Sequence, residues 1–83
     1  MMGTTMKRAP SHEAHDRLMA RACTRDALAY ASRLRAALVD PLATEVRRAE
    51  HAWHHAILFV HYRELASRYR RNAQAARASS RAA

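Results

Sequence analysis

Apolar residues recur at every third or fourth position between residues 19 and 38. This apolar line comprises Met19, Cys23, Ala27, Tyr30, Leu34 and Leu38, and the opposite side carries Arg17, Arg21, Arg25, Ser32 and Arg35. Residues three or four apart share one side of an α-helix. The pattern predicts an amphipathic helix over residues 12–39, capped by Ser11. Thr24 is a second candidate start, but no Gly or Pro interrupts the chain there, which favours one continuous helix.

The dipeptide Asp40-Pro41 predicts the turn between two helices. Pro disfavours the α conformation in the residue before it, Asp is a preferred N-cap and Pro suits the first helical position. We therefore expect the second helix over residues 41–77, folded back on the first as an antiparallel hairpin. Residues 11–78 would form this hairpin, with a disordered lead over residues 1–10 and a disordered tail over residues 79–83.

The second helix carries two apolar lines on different sides, and they overlap between residues 56 and 62. We predict that the first line closes the hairpin against the first helix. This predicted hairpin core comprises Tyr30, Leu34, Leu38, Val46, Trp53, Ile57 and Val60. The second line would then need another surface, because one neighbouring helix covers only one side. The predicted partner-binding residues are Leu58, Phe59, Tyr62, Leu65 and Tyr69. A folded-back segment over residues 12–20 is the alternative cover.

Composition supports an all-α fold that a second chain completes. Of the residues counted as hydrophobic, 20 are Ala, so a core would be thin. Gly occurs once and Pro twice, too rarely for the turns of a strand-rich fold. We expect an antiparallel helical hairpin with a long second helix, completed by oligomerisation or by a partner protein.

The formal net charge is +8, and 14 of the 15 basic residues are Arg. Beyond Glu64 the chain has no acidic residue. A balance of this kind favours phosphate or an acidic protein as a partner. The candidate phosphate-binding residues are Arg68, Arg70, Arg71 and Arg77. An equally simple explanation is arginine-biased composition on ordinary solvated faces.

The segment HAWHHAILFVHY, residues 51–62, contains four histidines and raises the question of a metal site. His51 and His55 are four residues apart, as helical metal ligands are. Their neighbours Arg47 and Arg48 oppose a cation, however, and neither Cys nor an acid completes the set on that side. We predict a solvated polar face that holds neither metal nor cofactor.

The sequence contains no signature of catalysis. Phosphate-binding glycine loops, dinucleotide fingerprints and the zinc-protease helix motif are all missing. Cys23 lies within the apolar line of the first helix, where Cys usually acts as a small hydrophobic residue. We predict a protein that is not an enzyme and has no small-molecule substrate.

The N-terminal decapeptide MMGTTMKRAP lacks the apolar stretch of a signal peptide. The longest apolar run, AILFV at residues 56–60, is far shorter than the ~18 residues of a membrane span. A single cysteine excludes an internal disulfide. We therefore expect a cytoplasmic protein.

Residues 24–74 resemble the small needle co-chaperones of type III secretion systems, of the E-component type. The resemblance rests on the first helix TRDALAYASRLRAALV, the turn DP, and a second helix ending HYRELASRYRRNAQ. It implies a helical hairpin that pairs with another small helical chaperone and keeps an aggregation-prone needle subunit soluble before export. No functional residue is carried over from that family.

The sequence thus predicts a non-enzymatic module that binds a protein partner through its second helix. The other candidate function is a basic homo-oligomer that binds nucleic acid through its Arg-rich C-terminal part. The identity of the partner, the choice between self- and hetero-association, and any role of the histidines remain open at this stage.

Overall fold

The protein is an all-α antiparallel hairpin, which confirms the predicted fold class. The computed structural model describes residues 3–82, and it describes the side chains of residues 12–81. Helix α1 spans Gly3–Leu38 and helix α2 spans Glu45–Ala82, and no strand occurs within the described residues. The predicted lead and tail fall partly on residues 1, 2 and 83, which lie outside the described residues. Elsewhere in those two segments the chain is helical, from Gly3 and up to Ala82.

Helix α1 passes through the second candidate start without interruption. The hydroxyl of Thr24 donates a hydrogen bond of 2.8 Å to the carbonyl of Ala20, one turn earlier in the same helix. A Thr side chain can make this bond within a helix because its oxygen lies close to the preceding turn. The prediction of one continuous first helix is therefore confirmed.

The connection between the helices is longer than predicted, because Thr44 and not Asp40 caps α2. The backbone N–H of Arg47 donates to Thr44 Oγ1 at 3.2 Å, which is the bond of an N-cap residue. Asp40 instead accepts a bond from the N–H of Leu42 at 3.0 Å and so holds a tight turn. The Arg48 guanidinium then ties the connection to α2 by donating to the carbonyls of Asp40 and Ala43.

Small side chains fill the space between the two helices. The buried residues are Ala20, Cys23, Ala27, Ala52, Ala66 and Ala73. Larger side chains of the same face border them, and the rings of Tyr30 and Tyr62 stack with centroids 5.6 Å apart and planes 3° from parallel. The spacing between packed helices depends on the side chains at the contact, so alanine allows the two backbones to approach closely.

The hairpin is a single layer of two helices. It measures 60 × 21 × 12 Å, so its thickness is that of one helix. Within the described residues no large side chain is fully buried, because each helix has a neighbour on one side only. Two flat faces and two long edges therefore remain open to solvent.

The predicted hairpin core lies only partly inside the hairpin. Tyr30 stacks on Tyr62 of α2 and Leu34 is partly buried, whereas Leu38 near the turn is exposed. The predicted α2 members Val46, Trp53, Ile57 and Val60 are all exposed.

The reason for this difference is the length of each apolar line. Val46 to Val60 covers about four turns, after which Glu64 and Arg71 occupy the same side. The line that faces α1 instead runs the length of the helix, with Ala52, Phe59, Ala66 and Ala73 spaced seven residues apart. Only this longer line can cover the apolar side of α1 from the turn as far as Ala20, toward the N-terminus.

Candidate functional site

An apolar stripe lies along the outer edge of α2, facing away from α1. We call it the outer stripe, and it comprises Val46, Ala49, Trp53, Ile57 and Val60. Trp53 is 68% exposed, Ile57 50% and Val60 47%. The spacing of three and four residues places these side chains on one side of the helix, opposite the buried Ala52, Ala66 and Ala73.

The outer stripe forms one side of a shallow groove. Trp53, Ala56, Ile57 and Val60 line the groove, and His61 and Glu64 close its C-terminal end. The corresponding outer edge of α1 presents the small side chains of Ser32 and Ala36, both exposed. The two edges of the hairpin therefore differ, and only the edge of α2 offers large apolar side chains in a continuous line.

The residues predicted to bind a partner are partly covered in the hairpin, and some of them contact α1. Phe59, Leu58, Tyr62, Leu65 and Tyr69 are all partly buried. Tyr62 stacks on Tyr30, and Tyr69 meets the edge of the His15 ring at a centroid distance of 6.3 Å. Tyr62 and Tyr69 of the predicted partner surface therefore contact α1, whereas the predicted core residues Val46, Trp53, Ile57 and Val60 are exposed.

The histidine-rich segment divides between the outer edge and the hairpin interior. His51, His54 and His61 are exposed, whereas His55 is partly buried beside the Tyr30 ring, with centroids 6.1 Å apart. Within the described residues, no three His, Cys, Asp or Glu side chains lie close enough to hold one metal ion. The segment therefore holds three exposed imidazoles and one, that of His55, which is partly buried.

The environment of His55 disfavours its charged form. Burial is the main cause, and the neighbouring positive groups His54, Arg33 and His51 add to it, so the pKa of His55 is lowered from its ordinary value. Its Nδ1 atom is shielded from solvent and has no hydrogen-bond partner among the described side chains and backbone. A proton at this imidazole would therefore be poorly solvated in the folded hairpin.

The lowered pKa predicts that acid destabilises the hairpin. Below a pH of about 6.5 the unfolded chain binds a proton at His55 that the folded chain resists, so stability falls as the pH falls. Urea unfolding followed by circular dichroism, repeated across this pH range, measures how steeply the free energy of unfolding changes with pH. We expect His55→Gln to reduce the pH dependence and His12→Gln, at an exposed position, to preserve it. An unchanged slope in His55→Gln would contradict the assignment.

The four arginines predicted to bind phosphate do not share one surface. Arg70 reaches across to α1, where its guanidinium lies 3.4 Å from Thr24 Oγ1, and Arg77 Nε donates to Glu13 Oε2 at 3.2 Å. Arg68 and Arg71 lie beside Glu64 and Ser67, toward the outer edge. The structure therefore divides the predicted set into two pairs.

Sequence reasoning missed the arginines of α1 that join Arg70 and Arg77. Arg17, Arg21, Arg25 and Arg70 line one groove across the two helices, and Arg63 lines the next groove with Arg70. Two signals were present in the sequence: arginine at every fourth position over 17–25, and at every seventh position over 63–77. Each spacing keeps arginine on one side of its helix.

None of the described helices is both long enough and apolar enough to cross a membrane. Comparison of the chain with protein-family models, with curated proteins and with solved structures finds no match.

Proposed function

We propose that this protein is a non-enzymatic helical association module that pairs with a second copy of itself through the outer stripe of α2. The observation that carries this proposal is the exposure of Trp53, Ile57 and Val60 in one line, on a hairpin whose interior is mostly alanine. Exposed apolar lines of this kind are typical of surfaces that another helix covers. Covering the stripe also adds the large buried side chains that the hairpin lacks.

The outer stripe is complementary to itself when the second copy runs in the opposite direction. Val46 and Val60 lie seven residues before and after Trp53, and Ala49 and Ile57 lie four before and four after it. A two-fold axis at Trp53 therefore places Val46 against Val60 of the other copy. It also places the small Ala49 against the large Ile57, as interlocking helix surfaces require.

Charge favours the antiparallel arrangement over the parallel one. In a parallel pair, Glu64 would face Glu64 of the other copy, and Arg68 and Arg71 would lie beside their equivalents. Like charges facing each other across a helix pair are destabilising. The antiparallel pair separates the two Arg-rich C-terminal halves of α2 to opposite ends of the interface.

A narrower form of the association function is the co-chaperone role that the sequence resemblance implies. The outer stripe would then cover an apolar helix of a different protein. The self-complementary pattern around Trp53 favours the second copy, because a surface dedicated to another chain has no need of this symmetry.

The mass of the purified chain in solution tests the proposal. Light scattering coupled to size-exclusion chromatography is expected to give twice the chain mass of 9.4 kDa at both low and high salt. An apolar interface persists at high salt, whereas a contact made only by surface charge is screened. A monomer at all concentrations, or open-ended aggregation, would contradict pairing with a second copy and favour a different partner.

A further inference from the structure

We propose that one flat face of the hairpin binds the phosphate backbone of double-stranded nucleic acid. Two rows of arginine that are distant in the sequence lie side by side on this face, one from each helix. We call it the basic face, and it comprises Arg17, Arg21, Arg25, Arg63, Arg70 and Arg77. It is distinct from the outer stripe, which lies on the edge of α2.

The two rows border a shallow trough. Its floor consists of small side chains, Ala20 and Thr24 from α1 and Ala66 from α2, with Leu28 exposed beside them. The guanidinium of Arg70 extends over the floor to Thr24 Oγ1 at 3.4 Å. Arginine side chains therefore stand above a low floor, where a phosphate backbone can approach them closely.

Few carboxylates compete for these guanidinium groups. Among the described side chains, the ion pairs are those of Glu13 with Arg77 at 3.2 Å and with Arg17 at 3.8 Å, at one end of the face. Arg21, Arg25 and Arg63 make no ion pair with a described carboxylate. Unneutralised arginines in rows are the electrostatic footprint of phosphate binding.

The spacing of the rows suits a regular polyanion. Arg17, Arg21 and Arg25 are separated by about 6 Å along α1, since an α-helix rises about 1.5 Å per residue. Phosphates of one duplex strand advance about 3.4 Å per nucleotide along the axis, so successive arginines match about every second phosphate. Arg63, Arg70 and Arg77 form a parallel row with a spacing of about 10 Å.

The aromatic residues favour a duplex over a single strand. Proteins that bind single strands without sequence preference stack the bases on exposed aromatic rings. The one aromatic ring that lines the trough is Phe59, which is partly buried and covered by the Arg63 guanidinium at 5.7 Å from the ring centroid. The basic face thus offers guanidinium groups to phosphates and no stacking surface to unpaired bases.

A pair of hairpins would present two basic faces in place of one. This part of the inference rests on the proposed self-association. A two-fold axis that reverses the direction of α2 is perpendicular to the flat layer, so both copies turn the same face to the same side. The antiparallel pair would then present two neighbouring basic faces to one duplex. Its affinity for the duplex would rise because the second face binds as part of the same complex.

A salt titration of binding to a short mixed-sequence DNA duplex tests the proposal. We expect wild-type protein to bind at about 50 mM salt, with log K falling linearly as log salt rises. The triple variant Arg21→Ala, Arg63→Ala and Arg70→Ala is expected to bind on the order of 100-fold more weakly and to flatten the slope by about 3. The control triple variant Arg47→Ala, Arg68→Ala and Arg71→Ala removes the same charge elsewhere and should retain most of the affinity.

Two results would overturn the proposal. One is the absence of duplex binding by the wild-type protein at low salt. The other is an equal loss in both triple variants, which would indicate net charge alone. Circular dichroism and solution mass are measured on the same samples, so failure of this proposal is distinguishable from failure of self-association. The variant Ile57→Asp is expected to bind the duplex more weakly as a monomer, while its affinity remains sensitive to the basic face.

Discussion

Replacing Ile57 by Asp is expected to convert the proposed pair of hairpins to monomers without unfolding the hairpin. Ile57 lies at the centre of the outer stripe and is half exposed in the single chain, so the carboxylate remains solvated there. In the pair it would be buried against an apolar surface. Each Ile57 side chain contributes about 2 kcal/mol through apolar burial, and the interface of a two-fold pair contains two of these side chains. The dissociation constant is therefore expected to rise on the order of 1000-fold.

The control for this experiment is Leu18→Asp. Leu18 is also a large exposed apolar residue, but it lies on α1, away from the outer stripe. We expect this variant to keep the wild-type mass in solution, and circular dichroism should show helical content in both variants. Equal dissociation by Leu18→Asp, or an unchanged mass in Ile57→Asp, would show that the outer stripe is not the interface.

Replacing Ala66 by Leu is expected to destabilise the hairpin itself. Ala66 is 2% exposed and lies where the two helices approach closely. A larger side chain at this position must push the helices apart or adopt a strained rotamer, which costs about 1–3 kcal/mol. In a domain of this size, such a loss lowers the Tm by on the order of 10 °C.

The matched control for Ala66→Leu is Ala75→Leu, in the same helix at an exposed position. Leu is nearly as good a helix former as Ala, so this variant should change the Tm little. Thermal unfolding followed by circular dichroism, at one fixed protein concentration, measures both. A stable Ala66→Leu protein would indicate that the space between the helices is wider than the alanine line implies.

The stacking of Tyr62 on Tyr30 changes what a substitution at Tyr62 would do. In the sequence-based hypothesis Tyr62 faces a partner. In the structure its ring stacks on Tyr30, within the hairpin. A charge at Tyr62 is therefore expected to destabilise the hairpin, so its effect on association cannot be separated from unfolding. A charge at Ile57 is expected to change association without destabilising the hairpin.

The α1 half of the interior could be predicted from the sequence, because α1 has a single apolar line through Cys23, Ala27 and Tyr30. The cap of α2 could not, since Asp40 and Thr44 both suit an N-cap and one turn separates them. Thr44 caps α2 in the structure, while Asp40 closes the preceding turn. The N-cap preferences of Asp and Thr allow α2 to begin after either residue, and the packing of the connection between the helices selects Thr44.

The pattern of residues is enough to predict two helices, the region in which the chain reverses, and an α2 with more apolar surface than one neighbour can cover. Which line of α2 faces α1 depends on the packing of the two helices. Periodicity shows that a helix side is apolar but not what covers it. That depends on how far each line extends and how closely alanine lets the backbones approach. For the same reason, the arginine rows of 17–25 and 63–77 become one face only when the helices pack side by side.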